Sequence, residues 1–475
     1  MHINRASIGK PSGTIKDALL AASVKDGQVI SFQHHLRNGD LVLLQVLEAL
    51  KELGVKNITI APTAIMQAHA RLTEFIADGT VSKIYTNYLT GDVARYISEG
   101  RMAEPVIMQS HGGRAGSIVN GRLKVDVTFV AAPSVDSNGS VLASGIQSCA
   151  PLGYSITDAL YAKYTVAVTD NVIAERKDTY EISHKYIDYI AVVSSIGDAN
   201  KINSGSTVPA VDSKSLAISN NVVKVITNSS LFRNGFSYQA GAGGISLNVI
   251  NSLSKLMTER QVVAGFLAGG IMSSHVQMLR EGLVQKLYNV QSFDNAAVDS
   301  YGLDPAHLRM SVHDYANPFN RLSIANRLDF AAVGATEVDL DFNVNVVTGF
   351  DNVIRGGSGG HIDICAGSDI SIVTTRLHAK GRPKIVRSVN TIVTPGKYID
   401  IIATDVGVAI NPRREDLKRQ LSNCSIDIVD MSCLFDLASS GLENDTEAEK
   451  SEKIVAVIED QFGNVIDYIY ANDVM

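Results

Sequence analysis

The string DGTVSKIYT (Asp78–Thr86) returns as EGLVQKLYN (Glu281–Asn289), with Gly79 and Gly282, and Lys83 and Lys286, each 203 positions apart. Each string follows a helical pattern that opens on Ile-Met, at Ile65–Met66 and Ile271–Met272. Further out, the same offset carries Asp126 in LKVDVTFVA onto Asp329 in RLDFAAVG. It also carries Asp136 in APSVDSNGSV onto Asp339 in ATEVDLDFNV. An offset of 208 carries Asp26–Gly27 onto Asn234–Gly235. After each of those pairs come a strand pattern, an unusual loop and a helix pattern. The loops are QHHLRNGD (Gln33–Asp40) and QAGAGGIS (Gln239–Ser246). A sustained offset across several elements reads as a duplication, with a generic βα rhythm as the alternative.

Val29–Phe32, Asn57–Ala61, Val81–Thr86, Val125–Ala131 and Thr165–Val168 read as strands, and Leu41–Leu53 and Ala64–Ala77 as helices. This alternation predicts an α/β fold of two similar domains with parallel-rich sheets. A chain of 475 residues exceeds the roughly 100–200 residues of one domain. The expected division is 1–210, 211–440 and 441–475, with the two large domains joined near 205–225. The last part reads as an acidic linker, Gly441–Ser451, and a hairpin, Lys453–Ala471, expected to pack on the second domain.

Hydrophobic residues make up 45% and charged residues 19%, so the chain can bury a large core. With 42 basic against 49 acidic residues the net charge is −7. That excludes a dedicated nucleic-acid or anionic-membrane binder, which needs a basic face. Cys149, Cys365, Cys424 and Cys433 show no C-x-x-C spacing. Neither a disulfide framework nor a zinc cluster is expected, and a reduced, cytoplasmic setting follows. The start, MHINRASIGK, lacks the apolar stretch of a signal peptide. The longest apolar run, Val262–Met272, falls short of the roughly 20 residues needed to span a bilayer.

Four loops could carry chemistry. His34, His35 and Arg37 follow a strand, at the sheet edge where α/β proteins bind ligands. They suit an anion held by charge-assisted hydrogen bonds. In QSHGGRAG (Gln109–Gly116), His111 and Arg114 stand beside glycines that permit close backbone approach. Gly241, Gly243 and Gly244 precede a helix, whose first N–H groups bind carboxylate or phosphate. The Rossmann spacing and the triphosphate-loop lysine are both missing. Gly356–Gly360, before His361 and Asp363, could present amides as an oxyanion hole through Gly357, Gly359 and Gly360. Asn343, Asn345 and Arg355 could orient a polycarboxylate. The bland reading of each loop is an ordinary turn with surface or capping side chains. No metal site is assigned, nor a serine-nucleophile elbow or H-E-x-x-H.

Together these strings resemble one family, the alpha subunit of citrate lyase, over essentially the whole chain. The resemblance rests on HHLRNGD (His34–Asp40), SHGGR (Ser110–Arg114), VDVTFVAAPSVDSNGS (Val125–Ser140), GFSYQAGAGGISL (Gly235–Leu247), FNVNVVTGFDNVIRGGSGGHID (Phe342–Asp363) and TDVGVAINPRREDL (Thr404–Leu417). It implies two domains of the CoA-transferase/ribose-phosphate-isomerase type. The implied activity converts acetyl-[acyl-carrier protein] and citrate to citryl-[acyl-carrier protein] and acetate. The implied partners are a beta subunit and an acyl-carrier gamma subunit in an oligomeric complex. The carrier bears a phosphopantetheine-type, dephospho-CoA-derived thiol, for which acetyl-CoA can substitute. The resemblance implies no tightly bound cofactor and leaves Mg²⁺ as an option for the complex. Val208, where the family suggests arginine after Ser204–Thr207, and Ile364–Ser368 after Asp363 depart from the pattern. Citramalate transfer therefore stays an alternative.

Relatives of this fold that form a glutamyl thioester carry a GIHTE-type string. Here GIMSSH (Gly270–His275) puts Ser274 at the glutamate position. The resemblance then implies direct attack of citrate on the thioester through a mixed anhydride. A covalent route on Glu337 is the rival enzyme reading, and a catalytically idle sensor with the same fold is the non-enzyme one.

Overall fold

The computed structural model describes residues 9–472, apart from 145, 147, 176–179, 204–207, 242 and 441–449. Two large sheets follow one plan. The first runs Ser12–Gly13, Tyr189–Val192, Tyr164–Thr169, Val127–Ala131, Val29–Phe32, Ile58–Pro62, Val81–Thr86 and Val106–Met108, all parallel. The second, starting from the opposite edge, runs Val408–Ile410, Ile401–Ala403, Ile370–Thr374, Phe330–Gly334, Ser237–Ala240, Phe266–Ile271, Leu287–Ser292 and His307–Arg309. Its only antiparallel pairing among the described residues is that of Val408–Ile410 with Ile401–Ala403. Each sheet has a small satellite of three short strands, around Ser134–Asp136 and around Glu337–Asp339.

The residues that carry the sequence repeat do the same work in both halves. Asp126 accepts the N–H of Val29 at 2.9 Å, and Asp329 accepts that of Ser237 at 2.7 Å. Each carboxylate thereby ties the start of a central strand to its neighbour. Asp136 accepts from the amides of Asn138 and Ser140, and Asp339 from those of Asp341 and Asn343. His69 and His275 each accept the N–H three residues back, from Met66 and Met272. That bond explains one departure: the helix expected over Ala64–Ala77 begins as a 3₁₀ turn at Gln67–His69, and its α-helical part is Leu72–Ala77.

Most of the stretch expected to join the halves is the helix Ser213–Asn228, capped by Asp212. Its Val222, Val225 and Ile226 lie in the core of the second half. Ser204–Thr207 and the expected linker at 441–449 lie outside the described residues.

The tail hairpin corrects the sequence reading. Its strands, Lys450–Glu459 and Val465–Asn472, extend the first sheet, not the second. Ala456, Val457 and Ile458 pair in parallel with Val106, Ile107 and Met108. An exposed edge strand is a template for another strand, and the hairpin covers this one. Glu459 locks it by accepting from Gln109 Nε2 at 2.8 Å and from Arg122 Nη2 at 2.9 Å. Asp467 also accepts the N–H of Ile392 at 2.6 Å, so the tail touches both halves. Among the described residues no helix is long and apolar enough to cross a membrane.

Candidate active site between the halves

His34, His35 and His111 gather around Tyr154, where the halves meet. Ring centroids lie 5.1 Å apart for His34–Tyr154, 4.8 Å for His111–Tyr154, 6.3 Å for His35–Tyr154 and 6.3 Å for His34–His111. The strand Val29–Phe32 delivers the first two, the helix His111–Val119 the third, and the helix Gly153–Tyr161 the tyrosine. His34 Nδ1 shares a hydrogen bond with Thr63 Oγ1, and His35 Nε2 one of 2.7 Å with Ser155 Oγ. From the second half, Gln291 donates to the His34 carbonyl at 3.2 Å.

All three imidazoles are held neutral. Burial pushes His35 and His111 down to about 3 and His34 well below its ordinary value. Nearby positive charge adds to this at His34 and His111. The Nδ1 atoms of His35 and His111 and the Oε1 of Gln239 are buried without a hydrogen-bond partner. Buried polar atoms are normally paired, so these atoms are free to take a polar partner. Arg37 lies with its guanidinium 4.8 Å over the Phe293 ring, in a left-handed backbone conformation at φ +52°.

Other predicted residues have different employment. Arg114 is buried in a two-pronged pair with Asp158, at 2.8 and 2.6 Å, and donates to the Ala61 carbonyl at 2.8 Å. Gln33 donates to the same carboxylate at 2.8 Å. Arg114 therefore braces the site. Asn345 gives its amide to Glu337, to the Thr348 carbonyl and to Thr348 Oγ1, and its Oδ1 accepts from Val347 and Thr348. Asn343 closes a turn against Asp339 and Gly396. Arg355 forms an exposed pair with Asp351. Glu337 is buried beside Asn345. Ser274 faces a groove between the helices Gly244–Arg260 and Ser273–Arg280, with its Oγ buried and unpaired.

The glycines divide into two groups. Gly241 donates its N–H to the Ala332 carbonyl at 2.7 Å. Gly243 and Gly244 line a cavity of about 260 Å³ with Thr374, Thr375, Arg376 and Lys384. The second group is an interlock between the halves. A Cβ on Gly357 would stand 2.0 Å from the Asn87 carbonyl oxygen. Gly359 donates to that same oxygen at 3.2 Å and accepts the N–H of His111 at 2.7 Å. Close backbone approach explains these glycines without a ligand. His361 shares a 2.8 Å bond with Thr394, and its Nε2 is buried and unpaired. Burial pushes its pKa down to about 4.

Gln239, whose Nε2 donates to Tyr315 at 2.6 Å, enters the sequence reading only as the first residue of its glycine loop, and Tyr154 and Tyr315 not at all. No local pattern marks the two tyrosines. The sequence reading also passed over the letters G-x-S-x-G, which Gly356–Gly360 do contain. Ser358 is buried and its Oγ has no hydrogen-bond partner, so the base of a nucleophile elbow is lacking.

The family described as citrate lyase, alpha subunit (CitF), matches residues 10–472. The citrate lyase alpha chain of Haemophilus influenzae is 38% identical over 459 residues, 96% of this chain and 92% of that protein. That of Escherichia coli is 38% identical over 463 residues, 97% and 91%. The Streptococcus mutans alpha subunit of citrate lyase, solved in complex with citrate, superposes with a TM-score of 0.96 at 38% identity, covering 99% of this chain and 92% of that one. The 4-hydroxybutyrate CoA-transferase of Porphyromonas gingivalis, at TM-score 0.54 and 16% identity over 86% and 92%, is alike in fold alone. Repeat, interlocked crevice and full-length similarity agree: the chain belongs to the citrate lyase alpha subunit family.

Proposed function

We propose that the chain exchanges acetate for citrate on a carrier thioester, converting acetyl-[acyl-carrier protein] and citrate to citryl-[acyl-carrier protein] and acetate. The observation that carries this reading is the His34–His35–His111 cluster, with His34 and His35 buried, His111 half-buried, and the Nδ1 atoms of His35 and His111 unpaired. Carboxylates entering it would draw protons onto neutral imidazoles and form charge-assisted bonds in a dry site. The alpha chains of the relatives and the citrate-bound neighbour support citrate as that carboxylate. The carrier subunit supplies the thiol, and a beta subunit takes the citryl thioester onward.

A citrate carboxylate oxygen attacks the acetyl carbonyl. The C–S bond breaks, leaving a mixed anhydride and a thiolate. The thiolate then attacks the citryl carbonyl, a new C–S bond forms and acetate departs. No side chain needs to become acylated on this route. The protein's work is to hold both reactants in line and stabilise the oxyanions. Arg37 and the imidazoles suit the citrate carboxylates, and the cavity beside Gly243 and Gly244 suits the thioester.

Initial rates with acetyl-CoA and citrate should give converging reciprocal lines. Parallel lines, or a hydroxylamine- or borohydride-trapped adduct on Glu337, would replace this route with the covalent one. Absence of exchange with an authentic acetylated carrier would remove the activity itself.

A further inference from the structure

Asp363 is a carboxylate of the second half that works on the first. It sits in the first turn of the helix His361–Gly367 and is buried. Its Oδ1 accepts from Ser110 Oγ at 2.7 Å, and its Oδ2 accepts the N–H of Gly112 at 2.8 Å. These two residues flank His111. Ser110 in turn accepts the N–H of Gly113 at 2.9 Å, which turns its own hydrogen toward Asp363. Gly359 supplies the third tether by accepting the N–H of His111. A Cβ on Gly112 would stand 2.7 Å from Asp363 Oδ1 and 1.9 Å from the Ala316 carbonyl, so the turn is seated closely on the second half.

We propose that Asp363 is a positioning residue for the exchange reaction, its carboxylate gripping the Ser110–Gly112 turn across the crevice and so setting His111 against Tyr154 and His34. The inference rests on the reading of that crevice as the citrate site. Protonating the carboxyl, or replacing it by an amide, turns one of its two accepting atoms into a donor. One of the three tethers is lost, and His111 is held less firmly in its place.

The neighbours leave Asp363 as the group that changes charge near neutrality. His111 and His361, with pKa values pushed down to about 3 and about 4, are neutral there. Tyr154 and Tyr315, on two other helices, and Cys365, on its own helix, are pushed up by burial and stay protonated. Arg114 is engaged by Asp158 at 2.6 Å, away from this carboxylate. Burial raises Asp363 to about 7, against the lowering effect of the Gly112 and Ser110 bonds.

The test measures kcat/KM for citrate across pH 5.5–8.5 in the wild-type chain, Asp363→Asn and Ser110→Ala. The wild type should gain activity as pH rises through an ionisation near 7. Asp363→Asn should lose about 10–100-fold, the scale of a reacting group displaced by about 1 Å, and its acid limb should vanish. Ser110→Ala, which spares the carboxylate, should lose less and move the inflection to higher pH, because a donor that stabilises the anion is gone. Histidine ring resonances, with His111 assigned through His111→Gln, give a readout free of activity. The His111 signal should titrate with Asp363 in the wild type and not in Asp363→Asn. An unchanged inflection in Ser110→Ala, or a His111 signal indifferent to Asp363→Asn, overturns the proposal. If Asp363→Asn does not fold, Ser110→Ala decides. If the wild type exchanges no citrate, the functional reading fails while the resonance comparison still judges the positioning.

Discussion

Replacing Gly357 with alanine separates steric from chemical reasons for the glycine loop. The added Cβ would lie 2.0 Å from the Asn87 carbonyl oxygen, 2.5 Å from Tyr88 Cα and 2.7 Å from Asn87 C. Non-bonded heavy atoms rest at about 3.5 Å, so the loop and the Asn87 strand end must part by roughly 1.5 Å. All three atoms are backbone, and no rotamer can relieve the contact. The parting would strain the Gly359-to-Asn87 bond and the His111-to-Gly359 bond beside it. Overpacking costs about 1–3 kcal/mol, and displacement of this size at a reacting group costs about 100-fold in rate. Thioester exchange with acetyl-CoA and citrate, read beside a urea denaturation curve, gives both numbers. Gly241→Ala is the control, because its Cβ meets nothing closer than 3.5 Å, and its stability should stay within about 1 kcal/mol of wild type. If Gly357→Ala were as stable and active as wild type, the interlock would not be what requires glycine there.

Three further outcomes follow from the contacts. Arg114→Ala leaves Asp158 buried with Gln33 and should cost about 3–5 kcal/mol in denaturant unfolding; a loss under 1 kcal/mol would show that the pair does not brace the helix. Removing residues 450–475 uncovers the Val106–Met108 edge, so the shortened chain should form larger species by light scattering than the full chain does. The buried histidines have folded pKa values below their unfolded value of about 6.5, so their contribution is complete above that pH and is lost as pH falls toward about 3. Stability should therefore drop by up to about 1.4 kcal/mol per pH unit for each such histidine. His35→Gln should reduce that slope in denaturant midpoints taken between pH 4 and 6.5, and an unchanged slope would refute the role of burial.

The repeat, the central strands and the glycine-rich corners were legible in the one-dimensional chain. Strand periodicity, Asp126 and Asp329 at strand starts, and glycines at tight approaches express constraints that act within a few residues or recur at a fixed offset. The partners of polar groups were not legible. Arg114, Asn345 and Arg355 look alike as candidate anion ligands, yet Asp158, Glu337 and Asp351 engage them. Only a folded chain sets Asp363 against Ser110, 253 positions away, or Glu459 against Gln109, 350 positions away. The tail was misplaced for the same reason. Its alternating pattern specifies a hairpin, but which sheet has an open edge is settled by packing. Local sterics and burial patterns therefore fix the elements, while the satisfaction of buried charges and strand edges, which depends on distances through space, decides what each side chain is left free to do.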